Sequence, residues 1–271
     1  MKQHQVSLLG CGWLGMPLAE FLIKNDFKVK GSTTSPSKIS SLRDIEVEAF
    51  LILLEETGCE GFVEAFLSDS ETLVIAIPPG LRKNPKSDYV AKMNHLVPYV
   101  ETSSIKNVLF ISSTSVYQDN EFFPITTEKR EFYAETNVAK QLLEVERLFS
   151  ENSNFRTTIL RFSGLFDAKR HPAQYLSGRK GIKNPKAPVN LIHQSDAIRV
   201  IHQLVTQQKW GDVYHAATTP HPTKKDYYTN VCSDMGIAPP IYDEAAESLG
   251  KVIVSTKLIE SLDFEFEVTL E

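Results

Sequence analysis

The residues best suited to chemistry begin near the start of the chain, with Gly10-Cys11-Gly12-Trp13-Leu14-Gly15. A G-x-G-x-x-G pattern carries weight only when it leaves a strand and opens a helix. Here an apolar run at 6–9 precedes it, and Leu14, Leu18, Phe21 and Leu22 follow at helical spacing. In that setting Gly10 permits a tight turn, Gly12 lets backbone approach a pyrophosphate, and Gly15 lets the helix lie close on the strand. The free N–H groups and dipole of the helix N-terminus favour the negative charge. Trp13 and Leu14 belong to the same loop, and Trp13 is expected to pack on its nucleotide side. Cys11 reads as a small loop residue without reactivity. The competing reading, an accidental glycine-rich turn, is a minor one at the head of an alternating chain.

This fingerprint usually continues to an acidic residue at the end of the second strand, where it binds a ribose 2′-OH. The chain instead reads Gly31-Ser32-Thr33-Thr34-Ser35-Pro36-Ser37-Lys38. Ser32, Thr33, Thr34, Ser35 and Lys38 offer donors and a cation, which suit a 2′-phosphate and favour NADP(H) over NAD(H). They read equally as the turn and N-cap of a short helix over 36–43, with Ser35 as cap and Pro36 at its first position. Ile77 and Pro78, where the strand TLVIAI meets Pro78-Pro79-Gly80, complete the expected cofactor-binding set.

A second constellation comes later. Ser112-Ser113-Thr114-Ser115-Val116-Tyr117 follows a strand at 108–111, on the ligand-binding edge of a parallel sheet. Asn137-Val138-Ala139-Lys140 lies within a helix expected over 131–149. Together with the glycine loop, these stretches resemble the extended short-chain dehydrogenase/reductase family, the nucleotide-sugar epimerases and dehydratases. Arg161-Phe162-Ser163-Gly164-Leu165-Phe166, Asn190 through Asp196 and Val213-Tyr214-His215 resemble later family segments in the same order. The resemblance implies that Ser113 is the catalytic hydroxyl and that Lys140 binds the nicotinamide ribose. It also implies a tyrosine four residues before Lys140, and the chain has Thr136 there. An aliphatic hydroxyl is a poor general acid/base. The glycine loop and Thr33-Thr34-Ser35-Pro36 further resemble an atypical subgroup that lacks the full tyrosine motif.

Two phenols could take the vacant role. Tyr133 lies seven residues before Lys140, nearly on one face of the expected helix, and Tyr117 closes the serine-rich stretch. Packing is the more ordinary role for each. His193 reads as a structural histidine bonded to Asp196 or to backbone. Lys169, Arg170, His171 and Arg179 crowd one loop, which suits an anionic substrate or is simply a solvated charge run.

The elements that must position these groups alternate: strands at 6–9, 28–30, 47–54, 72–77, 108–111, 157–160 and 213–217, with helical patterns between most of them and at 195–207. That order predicts an α/β fold, a doubly wound parallel sheet of Rossmann type. The expected division is a dinucleotide-binding domain at 1–163 and a smaller substrate-binding portion at 164–271, with 190–218 returning to the first. With 271 residues, 42% hydrophobic and 23% charged, the chain can bury a substantial core. The net charge of −5 argues against a nucleic-acid partner. Cys11, Cys59 and Cys232 are too scattered for a disulfide framework or a zinc site, and no metal is expected. The N-terminus has no signal-peptide pattern and no apolar run spans a membrane, so a cytoplasmic protein is expected. Two functions follow: an NADP(H)- or NAD(H)-dependent oxidoreductase or epimerase acting on a small polar substrate, or a non-catalytic NAD(P)-binding sensor that has lost its tyrosine.

Overall fold

Strands covered on both faces must be apolar along their whole length, and Leu8, Val74 and Leu109 are each fully buried. They lie at the centre of a computed structural model that describes residues 4–270; Met1 to Gln3 of the expected N-terminal stretch fall outside the described residues. The elements in chain order are β1 (Gln5–Leu9), α1 (Gly15–Lys24), β2 (Lys28–Thr33), α2 (Ile39–Asp44), β3 (Glu48–Glu55), β4 (Gly58–Gly61) and α3 (Val63–Leu67). Then come β5 (Thr72–Ile75), α4 (Tyr89–Glu101), β6 (Asn107–Ser113), β7 (Ile125–Thr126), α5 (Asn137–Ser150), β8 (Arg156–Phe162) and β9 (Gly164–Phe166). The remainder is α6 (Pro172–Leu176), β10 (Leu191–His193), α7 (Gln194–Thr206), β11 (Val213–Ala216), α8 (Lys224–Asp234), β12 (Val252–Ile253) and α9 (Thr256–Leu262).

The main sheet has eight strands in the order β11-β8-β6-β5-β1-β2-β3-β4. It is mostly parallel, and β4 returns antiparallel on β3. The chain therefore has the doubly wound α/β architecture that alternation predicts. Winding leaves β1 in one direction to β2 and in the other to β5, which makes the carboxyl ends of β1 and β5 the switch point where such sheets bind ligands.

Two compact units share the chain. The first holds Met1–Ser113, Thr136–Leu160 and Ile201–Val213; the second holds Thr114–Glu135, Arg161–Val200 and Tyr214–Glu271. The chain thus passes between units within β8, α7 and β11 and not at a single point. Inside the second unit, β9 pairs with β10 and β7 with β12. Its core gathers Phe166, Ala173, Leu191, Tyr227, Tyr228 and Cys232. No described helix is long and apolar enough to cross a membrane.

Local differences from expectation have local causes. The helix expected over 131–149 begins only at Asn137, because Thr136 is extended (φ −70°, ψ 149°) and its Oγ1 accepts the Ala139 N–H at 3.2 Å. That is an N-cap, and the helix starts there, one turn before Lys140. Tyr133 is therefore off the helix; it forms a β-bridge with Tyr117. The helix expected over 36–43 splits into a 3-10 turn at Pro36–Lys38 followed by α2, and the Ser35 side chain makes no capping bond. Strand β2 runs on through Ser32 and Thr33, and β4 was not expected at all.

Candidate cofactor site

Two of the loop's glycines are held by close packing, as their spacing suggests. Gly10 has φ +104°, and a Cβ there would meet Ile77 Cγ2 at 2.5 Å. A Cβ on Gly15 would lie 2.1 Å from the Gly10 carbonyl oxygen, so helix and loop touch at that point. A Cβ on Gly12 would meet nothing within 4 Å. The first and third glycines are thus required by the protein's own packing, while the second faces open space that a ligand can fill.

That space belongs to a cavity of about 400 Å³ at the carboxyl ends of β1, β2 and β5. Gly10, Gly12, Ser32, Thr33, Thr34, Ser35, Lys38, Ile77 and Pro78 all line it. Trp13, Leu14, Gly15 and Lys140 are not among the lining residues: Leu14 and Gly15 are buried in the packing beneath, Trp13 is half-buried, and Lys140 stands exposed in the first turn of α5. Sequence reading missed Ile52 and Leu54 of β3, Tyr89 and Lys92 of α4, and Asn84 and Ser87 before α4. An apolar wall beside a hydroxyl- and lysine-bearing rim fits an adenosine whose ribose points to the rim. The residues present therefore fit a dinucleotide.

Ser32 has a structural task besides lining the cavity. It is 2% exposed, and its Oγ accepts the Gly10 N–H at 2.9 Å. Its carbonyl accepts the Cys11 N–H at 2.7 Å. Ser32 thus fastens the glycine loop to β2. Cys11 is buried, and burial pushes its thiol up to about 12, so it is neutral at ordinary pH.

Of the expected catalytic residues, Ser113 and Lys140 lie in the first unit, Tyr117 and Tyr133 in the second. Ser113 ends β6 and is half-buried. Its neighbour Ser112 donates to the buried Glu146 carboxylate at 2.5 Å, which ties β6 to α5. Tyr117 and Tyr133 are brought together, with ring centroids 5.6 Å apart. The Tyr117 hydroxyl receives a hydrogen bond from Arg161 Nη1 and meets His215 Nε2 at 2.8 Å. Arg161 lies over both rings, at 5.0 and 5.8 Å. Tyr117 is 1% exposed, so its phenol is engaged inside the second unit.

His215 has a consequence for acid stability. Burial holds it down to about 3, and the cations of Arg161 and Lys257 act in the same direction. The Glu128 carboxylate stands 4.0 Å from Nδ1, and the carbonyls of Thr126 and Val254 lie near without completing a hydrogen bond. The unfolded chain protonates this histidine as pH falls through about 6.5, and the folded chain only near 3. Its contribution to stability is therefore whole above pH 6.5 and is lost progressively below it, roughly several kcal/mol in all. We expect the wild-type melting temperature to fall more steeply between pH 6.5 and 4 than that of His215→Gln; equal slopes in a calorimetric series would assign the acid lability to other groups.

The remaining histidines and the basic loop are also placed. His171 is buried; its Nδ1 accepts the Ala173 N–H and its Nε2 meets the Tyr227 hydroxyl at 3.1 Å. It caps α6 and leaves the expected basic cluster, whose Lys169, Arg170 and Arg179 stay exposed. His193 bonds to the Ser195 hydroxyl at 2.7 Å and the Ser195 N–H at 3.2 Å, not to Asp196. Asp196 is fully buried and accepts Arg199 Nη1 at 2.7 Å and the N–H groups of Glu267 and Val268 at 3.1 Å each.

No family model matches the chain. Over 266 residues it is 30% identical to Protein YeeZ of Escherichia coli strain K12, across 97% of this chain and 96% of that protein. Among solved structures, UDP-glucuronic acid 4-epimerase from Bacillus cereus in complex with NAD matches with a TM-score of 0.79 at 15% identity, over 98% of this chain and 93% of that one. A short-chain dehydrogenase/reductase superfamily protein from Agrobacterium tumefaciens with bound NAD gives 0.77 at 16%, over 98% and 94%. At those identities the two structures speak for the fold.

Proposed function

Because the chain belongs to the extended short-chain dehydrogenase/reductase family, we propose that it is an NAD(P)-dependent oxidoreductase or epimerase-like enzyme that holds NADP(H) more tightly than NAD(H). The observation that carries this reading is the open space over Gly12, in a cavity rimmed by hydroxyls and Lys38. The nucleotide sugars that the Bacillus cereus enzyme's name implies give the class of substrate to try first. Exposed Lys169, Arg170 and Arg179 of the second unit suit an anionic group.

A nicotinamide, when bound, would supply or accept hydride; Ser113 would hydrogen-bond the oxygen on the reacting carbon of the substrate, and Lys140 would hold the ribose. Thr136 caps α5 and is a poor acid/base, and Tyr117 is engaged by Arg161 and His215. Proton exchange therefore falls to water, and Tyr133 serves as packing against Tyr117. Lys140→Ala is expected to weaken cofactor binding strongly, whereas Tyr133→Phe changes any turnover by less than about tenfold; a loss of about 10²–10⁴ in Tyr133→Phe would make that phenol the general acid.

The same capping threonine is what favours a second reading, a non-catalytic NAD(P)-binding sensor. Titration calorimetry with NADPH and NADH tests the binding reading. One charge-assisted phosphate contact is worth about 1.5–3 kcal/mol, so NADPH is expected to bind at least about tenfold more tightly. Failure to bind either dinucleotide overturns the proposal; equal or tighter NADH binding overturns the choice of cofactor. Net oxidation of NADPH with a carbonyl substrate, or conversion of a nucleotide sugar to its epimer without net change in the cofactor, separates enzyme from sensor.

A further inference from the structure

Two lysines line the cavity. Lys38 enters it from the turn before α2, and Lys92 enters from α4. We propose that Lys92 is a second determinant of cofactor choice, sharing with Lys38 the 2′-phosphate that distinguishes NADP(H) from NAD(H). This rests on the nucleotide-binding reading of the cavity.

The start of α4 is unusually well fastened. Tyr89, 2% exposed, donates its hydroxyl to the Ile77 carbonyl at 2.9 Å, which ties the first turn of α4 to the loop after β5. The Tyr89 N–H goes to Gln141 Oε1 at 2.7 Å. Glu56 Oε1 accepts the Ser87 hydroxyl at 3.0 Å and the Asp88 N–H at 2.8 Å. Lys92 stands three residues beyond Tyr89, on the same side of the helix. Its side chain is only 25% exposed. Lys92 thus borders the cavity from a firmly fastened element.

Charge points the same way. None of the residues that line the cavity is acidic. Lys92 has an ion pair with Glu55, but it is 4.0 Å long and Glu55 is 51% exposed. A loose pair in contact with water is a weak competitor for a doubly charged phosphate. The rim hydroxyls can donate to that phosphate but carry no charge: Ser32 Oγ and Thr33 Oγ1 accept the Gly10 N–H and, at 3.1 Å, the Ser35 N–H, which leaves each O–H to donate. Discrimination by charge then falls to the two lysines.

The test is calorimetric titration of the wild type, Lys38→Gln, Lys92→Gln and Lys92→Arg with NADPH, NADH, 2′-AMP and 5′-AMP. Lys92→Gln is expected to weaken NADPH and 2′-AMP by about 5- to 50-fold and to leave NADH and 5′-AMP within about twofold, with Lys92→Arg restoring the preference. Equal losses for NADPH and NADH would make Lys92 a general wall of the cavity and overturn the assignment. So would unchanged NADPH binding in Lys92→Gln beside a loss in Lys38→Gln. A wild type that binds neither dinucleotide would instead overturn the nucleotide-binding reading itself.

Discussion

Gly12→Val loses NADP(H) affinity by at least about 100-fold, roughly 2.7 kcal/mol, while melting within about 2 °C of the wild type. The two halves of that expectation have one cause. A Cβ at Gly12 would meet no atom within 4 Å beyond its chain neighbours, so folding is expected to tolerate the substitution, yet it would stand where a pyrophosphate is expected to approach the backbone. Gly15→Ala gives the opposite pattern. Its new methyl would sit 2.1 Å from the Gly10 carbonyl oxygen, so the loop and α1 must part and stability falls. Calorimetry with NADPH, together with a thermal melt of each variant, checks the pair. Unchanged affinity in Gly12→Val would remove the dinucleotide from this loop.

Asp196→Ala lowers the melting temperature by about 10 °C. The carboxylate is fully buried and takes three hydrogen bonds, from Arg199 and from two successive N–H groups of the C-terminal tail. Its removal leaves donors without acceptors in the interior, which costs about 3–5 kcal/mol for a broken buried pair, and each kcal/mol is worth about 2–4 °C in a domain of this size. Arg199 keeps a second partner in Glu267 at 3.2 Å, which limits the damage on the exposed side. The tail beyond α9 is expected to become the first site cut by a protease. A drop under about 2 °C would show that Asp196 does not anchor it.

The sheet was legible because each central strand is a run of apolar residues and the glycine loop stands where such a run meets a helix. The boundaries were less so. Residues 131–136 continue the helical spacing of α5, and only the extended backbone of Thr136 shows that its hydroxyl stops the helix there. That one cap moved Tyr133 off the face it was expected to share with Lys140. Ser32 illustrates a second limit. Its type suggested a phosphate donor, but that its oxygen also fastens the glycine loop depends on the fold, which a single sequence does not display. Lys92 was missed for a related reason: it sits mid-helix, far along the chain from the loop, and only the fold puts it on the same cavity. His171 went the other way, an apparent member of a charged loop that burial converts to a neutral helix cap.

The antiparallel return of β4 has a bearing on how the molecule behaves in a crowd. An unpaired strand at a sheet margin is a template on which another chain can add itself, the first step towards aggregation. Here that margin is four residues long, begins and ends in glycine, and carries the exposed carboxylate of Glu60. Glycine has low β propensity and a short strand offers few free N–H and C=O groups. On this side of the sheet, then, the chain closes its own growing edge with a segment too brief and too charged to seed a polymer.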